Sequence, residues 1–208
     1  MTALSDEAPR IEPATEIERR ALEWIAPYSQ ALHLERARDW TVRLDPAASL
    51  EMRLAAVTHD IERMFPGGPV IDKAHGRWDD PDYLYAHGRR SAEVVGVWIH
   101  EQGEASDRLD RREVRRLITL HEFGGLDGAD VVQAADSLSF LETLQEIVRD
   151  WVINGECSVE QARAKHQYMA DRIRVPEAVE LAEPLIKAAL ASLNDLEEPD
   201  LAGLVEPV

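Results

Sequence analysis

The stretch LAAVTHDIERMF, residues 54 to 65, sets a histidine beside an aspartate within an otherwise apolar helical pattern. Leu54, Val57, Ile61 and Met64 recur at helical spacing, and Asp60, three residues after Val57 and four before Met64, falls on the same face with His59 at its flank. An ionised carboxylate on an apolar face is costly unless a cation meets it. A divalent ion meets it if nitrogen and oxygen ligands from other helices converge on the same point. The sequence supplies candidates. His33 in ALHLERARDW is in register with Ala37, Trp40 and Leu44, and Asp136 in VVQAADSLSFLE sits among small and apolar neighbours with no positive charge beside it. His87 in YLYAHGRRSAEVVGVW and His121 in LITLHEFGG lie next to apolar stripes near helix ends, where they are placed to bind a second ion.

Taken in chain order, His33, His59-Asp60, His87, His121 and Asp136 resemble the HD-domain superfamily of metal-dependent hydrolases in its larger, two-metal form. The resemblance covers roughly residues 29–150 and rests on the HxxR of His33 to Arg36, the apolar run before HD, the LHEFGG element and the ADSLSFL helix. It implies that His33, His59, Asp60 and Asp136 hold a first metal, that Asp60 bridges to a second held by His87 and His121, and that Asp60 and His59 lie at the catalytic centre. A mixed imidazole and carboxylate set suits manganese, iron, cobalt, nickel or zinc, one or two ions. The activity implied is hydrolysis of a small phosphate ester or nucleotide by metal-activated hydroxide. Two alternatives use the same ligands: an HD-type diiron oxygenase, and a metal-binding regulatory module without turnover. Asp130, a rival to Asp136, is explained by its place at a helix start. His75, His100 and His166 need no metal to account for them.

A small anionic substrate requires cations near the ions, and Arg36, Arg90 and Lys165 are the expected contacts because each lies on or near an inward helix face. The mixed run DRLDRREVRR reads as an exposed helix start laced by pairs one turn apart. No Ser-His-Asp order or reactive cysteine offers a competing mechanism, and PGGP at residues 66–69 lacks the Lys and Ser/Thr of a nucleotide P-loop.

These residues must be positioned by helices. The periodicity predicts an all-α fold with helices over about 14–27, 29–44, 47–65, 81–103, 110–122, 128–154, 158–173 and 175–194, and no period-two strand or internal repeat. One HD-type helical bundle with a C-terminal helical extension is expected over residues 14–194, between a flexible N-terminal tail at 1–13 and an acidic tail at 195–208. The linker PGGPVIDKAHGRWDDPD is the one long internal loop, a common place for function. At 208 residues and 45% hydrophobic content the chain can bury a core. Its net charge of −17 argues against a nucleic-acid polymer or an anionic membrane as partner. Cys157 is the single cysteine, which fits a cytoplasmic setting, and neither a leader in MTALSDEAPR nor an apolar run of about 18 residues is evident. Trp98, Trp151 and the helix LAEPLIKAALASL are available for a homodimer patch.

Overall fold

The structure, a computed structural model, describes residues 10–199. The described residues form nine α-helices and no strand: α1 Glu16–Ile25, α2 Ala31–Leu44, α3 Leu50–Thr58, α4 Pro81–Glu101, α5 Arg111–Leu120, α6 Ala129–Thr143, α7 Gln145–Ile153, α8 Val159–Asp171 and α9 Pro176–Ala191. Most begin where side chains satisfy the free amide groups of a first turn. Thr15, Ser49, Asp80 and Asp110 cap α1, α3, α4 and α5, Ser158 and Gln161 form a reciprocal capping box at α8, and Pro81 and Pro176 open α4 and α9.

The helices pack around α6, in which every residue from 132 to 141 is buried. A helix buried on all sides needs neighbours on all sides, and α2, α3, α5, α8 and α9 provide them. Two apolar clusters meet along it. Residues of α1 to α5 gather on Ala129 and Val132, and residues of α7 to α9 gather on Ala135, Leu138 and Leu141.

Three departures from the expected elements bear on the site. The segment expected as one helix over 47–65 leaves α-geometry after Thr58; His59 is the C-cap of α3, Asp60 has φ −104° and ψ 4°, and a 3-10 turn follows at Ile61–Met64. Met64, expected in the core, is 39% exposed. The segment expected over 128–154 breaks at Leu144 (φ −105°, ψ 14°) into α6 and α7, with no glycine or proline to mark the break. The segment expected over 110–122 ends at Leu120, so His121 and Glu122 lie beyond the helix.

The expected tails fall partly outside the described residues, at 1–9 and 200–208. Residues 10–13 are held as a surface wrap: Arg38 donates to the carbonyls of Ile11 and Glu12, and Ile11 N–H donates to Asp39. At the other end Asp195 pairs with Arg149, and Glu198 accepts from Val159 N–H. The linker is tied down as well, since Gln161 donates to the Ala74 carbonyl, Trp78 Nε1 donates to the Gln161 carbonyl, and Lys73 pairs with Glu156. Trp98 is buried and stacked on Trp24 at 4.8 Å, which places it in the core rather than on a free face. No helix among the described residues is long and apolar enough to cross a membrane.

Candidate metal centre

Two helices end alike, and their ends build half of the site. α3 stops at His59-Asp60 and α5 at His121-Glu122, and in both the C-cap histidine turns its Nδ1 back to the carbonyl three residues earlier: His59 to Ala56 at 2.8 Å, His121 to Ile118 at 2.6 Å. A carbonyl only accepts, so both Nδ1 atoms carry hydrogen, and both Nε2 atoms point inward as lone pairs unless a second proton binds. Gly124 makes the second end possible. It sits at φ +60° with its N–H on the Leu120 carbonyl, and a Cβ there would lie 2.5 Å from Asp130 Oδ1.

The other two rings are set from helix interiors. Ser139 Oγ donates to the His33 carbonyl at 2.6 Å and therefore accepts from His33 Nδ1 at 2.9 Å, again leaving Nε2 inward. His87 Nδ1 meets Glu62 Oε1 at 3.0 Å, and its Nε2 faces Asp60 Oδ1 at 2.7 Å. His33, His59, His87 and His121 are buried to 1% exposure or less. Fixing one ring nitrogen on an outer acceptor while the other faces a common point is how histidine ligands are oriented around a metal.

The inward atoms sit at ligand spacing. Asp136 Oδ1 lies 3.3 Å from His33 Nε2 and 3.2 Å from His59 Nε2, while Asp60 Oδ1 lies 3.8 Å from His121 Nε2 and 3.9 Å from His59 Nε2. Two ligand atoms at right angles, each roughly 2.1 Å from one ion, are separated by roughly 3.0 Å. Three overlapping triads meet the spacing for a metal ion, His33-His59-Asp136, His59-Asp60-His121 and His87-His121-Glu122. The Nε2 atoms of His59 and His121 are buried without a hydrogen-bond partner, a costly state that a metal ion relieves. The structure thus brings together the six residues expected from the sequence as ligands and adds Glu122 to the group that could hold an ion. The buried histidine and carboxylate groups fit a divalent ion.

Each carboxylate has its second oxygen held from outside. Arg63 Nε lies 3.2 Å from Asp60 Oδ2, and Arg172 pairs with both Asp136 Oδ2 and Glu122 Oε2. Burial alone would push Asp60 and Asp136 toward the neutral acid. Arg63, His87 and His59 instead hold Asp60 well below the usual carboxylate range, and Arg172, His59 and His33 do so for Asp136. Burial opposes charge on His59, but Asp136 and Asp60 outweigh it and raise the ring to about 9. Without an ion, then, a proton on His59 supplies positive charge beside Asp60 and Asp136.

A narrow cleft opens beside these ligands, reaching His33, Asp60, Glu122 and Asp136 at its inner end. Lys165 lines it, buried and without a carboxylate partner among the described residues, its ammonium 5.0 Å from the Phe140 ring and 5.1 Å from Tyr168. Burial, with Arg172 and Arg63 nearby, lowers its pKa to about 8. Of the three cations expected at a substrate, Lys165 alone lies on the cleft. Arg36 is engaged by Glu142 at 2.8 Å and by Asp39 at 3.3 Å. Arg90 ties Glu62 Oε2 to the carbonyls of Pro66 and Gly67. The two share one cause: an arginine on an inward face meets a nearby carboxylate, and neither Glu142 nor Glu62 was visible as a partner from the periodicity. Asp130, the rival ligand, accepts from Gly125 N–H at 2.6 Å and braces the glycine loop.

Comparison of the chain with protein-family models, with curated proteins and with solved structures returns no match. The geometry therefore carries the functional argument alone. Sequence reasoning missed Glu62 and Arg63, which follow Asp60 by two and three residues and were open to notice there, and Glu122, the neighbour of His121. It also missed Arg172 and Ser139 as partners of Asp136 and His33, for which no local signal exists.

Proposed function

We propose that the chain is a metal-dependent hydrolase of small phosphate esters, of the kind found in the HD-domain superfamily that its ligand order resembles, with His33, His59, Asp60 and Asp136 around one divalent ion and Asp60, His87 and His121 around a second. The observation that carries this reading is the convergence of four buried Nε2 atoms, each with its Nδ1 held by an outer acceptor, on one oxygen each of Asp60 and Asp136. Ions bound there supply a Lewis acid and a source of hydroxide near neutral pH. The chain's own residues do the rest. Arg63 and Arg172 keep the carboxylates ionised and fixed, and Lys165 is the cleft cation without an acidic partner among the described residues, placed to receive a substrate oxygen.

The test is phosphate release from a broad panel of monoesters by protein reconstituted separately with manganese, iron, cobalt and zinc. Turnover with at least one metal, abolished in Asp60→Ala, is the expected result. No release with any metal, together with oxygen consumption by the ferrous protein on a phosphonate or polyol, replaces the hydrolase with a diiron oxygenase using the same ligands. Lys165→Gln should lower kcat/KM by about tenfold or more, the loss expected for one charged hydrogen bond. Arg89→Gln, at an exposed cation paired with Glu93, should leave it nearly unchanged.

A further inference from the structure

The walls of the cleft change character along their length, and the change follows the helices. Asp136, Phe140, Leu144, Ile147 and Trp151 all line it, stepping by four, four, three and four residues along α6 and on into α7. Four helical residues rise roughly 6 Å, so Leu144 stands roughly 12 Å along the wall from the ligand Asp136. Phe140 marks the transition, with its ring 6.5 Å from that of His33 in an edge-on contact. On α8, Lys165 and Met169 line the cleft one turn apart, and Ile71 of the linker and Leu84 of α4 add further apolar surface. Gln30, Arg63, which is paired with Asp60, and Tyr83, which is stacked on His87, add polar groups to the lining, but the wall along α6 and α7 beyond Asp136 is hydrocarbon and aromatic.

We propose that the substrate at this site is an anionic ester with an apolar body, an unbranched alkyl or planar aryl group, rather than a nucleotide or a sugar phosphate. This rests on the reading of the metal centre given above and names the substrate class that it acts on. The anionic group lies at the ligands and Lys165, and the body runs outward along Phe140, Leu144, Ile147 and Trp151. A base or sugar placed there would set its hydroxyls and ring nitrogens against side chains that offer little in return, and an unpaired buried polar group is costly. Trp151 is already stacked on Trp78 at 6.0 Å and covered by the Lys73 ammonium at 4.7 Å, so the outer wall is held in place. An apolar body gains from leaving water along that wall. The break between α6 and α7 at Leu144 is what bends the wall so that both helices face one cleft.

The experiment titrates phenylphosphonate and methylphosphonate into the metal-reconstituted full chain by calorimetry, and measures hydrolysis of phenyl phosphate and glycerol phosphate alongside. Phenylphosphonate should bind about tenfold tighter or more, in line with burial of one ring. Ile147→Asn puts a neutral polar group at a half-buried residue of the wall that holds no ligand, and it should abolish the preference for phenylphosphonate. Leu144→Asn should act in the same direction. Equal affinity for the two phosphonates, or a preference that survives both substitutions, overturns the inference; so does binding of neither. Selective binding without turnover of either ester supports the apolar substrate and removes the hydrolase. Turnover of glycerol phosphate without phenyl selectivity keeps the hydrolase and removes the apolar substrate.

Discussion

At the scale of single residues, the site is a set of histidines whose free nitrogen is selected by what the other nitrogen touches. Ala56 and Ile118 supply backbone carbonyls, Ser139 a hydroxyl and Glu62 a carboxylate. The proposed division of ligands between two ions gives a graded expectation. His59→Ala and Asp60→Ala remove ligands near both centres and should lose bound metal almost completely, whereas His87→Ala and His121→Ala should leave about one ion of two. Inductively coupled plasma mass spectrometry on dialysed protein counts them. Unchanged metal content in His87→Ala and His121→Ala would remove the second ion, and unchanged content in Asp60→Ala would remove the centre.

At the scale of elements, the site depends on where helices stop and how closely they approach. His87 reaches Asp60 because α4 lies tight against α5, and the contact is made at Gly88, where a Cβ would stand 3.0 Å from the Thr119 carbonyl and 3.3 Å from that of Ile118. Both carbonyls are backbone and cannot swing away. Gly88→Ala should destabilise the fold by about 1–3 kcal/mol, the usual cost of forcing an extra carbon into a packed contact. It should also weaken metal binding, because Ile118 is the residue that holds His121 Nδ1. Denaturant unfolding with and without metal measures both effects, and a variant as stable and as metal-replete as the parent would show that the helices separate without cost. The same scale explains the errors of boundary. Apolar periodicity continues through His59-Asp60 to Ile61, which is buried, and through Leu144 to Ile147 and Val148, which are half-buried and buried. Side-chain bonds to the backbone, not a change of hydropathy, end the helix at His59.

At the scale of the whole molecule, the ions would join α2, α3, α4, α5 and α6, and with them the two apolar clusters that meet on α6. Chelation, verified by metal analysis, should therefore lower the melting temperature by several degrees, since ions that bind only the folded chain stabilise it by mass action. An unchanged melt would place the ion at the periphery. His166 of α8 provides a separate test of the second cluster. It is fully buried, edge-on to Phe140, with neither ring nitrogen bonded, and burial with Lys165 beside it lowers its pKa from 6.5 to about 4. A base whose pKa falls on folding binds more protons unfolded than folded between those values, so it costs stability as pH drops from about 6.5 to about 4 and costs nothing by this route above 6.5. His166→Leu should be more stable than the parent, with an advantage that grows by up to about 3 kcal/mol across that window. A pH-independent advantage would show that the ring takes up its proton without opening the core.

Much of this was legible in the sequence for a physical reason: burial of charge is expensive, so a carboxylate or imidazole inside an apolar helical pattern announces a partner even when the partner is out of view. That reasoning named His33, His59, Asp60, His87, His121 and Asp136, and periodicity gave the helical class. What the tertiary structure alone decided is pairing across distance. Arg36 and Arg90 looked inward and were taken by Glu142 and Glu62; Arg172, 36 residues beyond Asp136, became its counter-ion; Trp98 met Trp24 inside the core. A helical pattern states which face is buried but carries no term for what buries it, and the choice among equally charged arginines is made by the packing of α6 against its five neighbours.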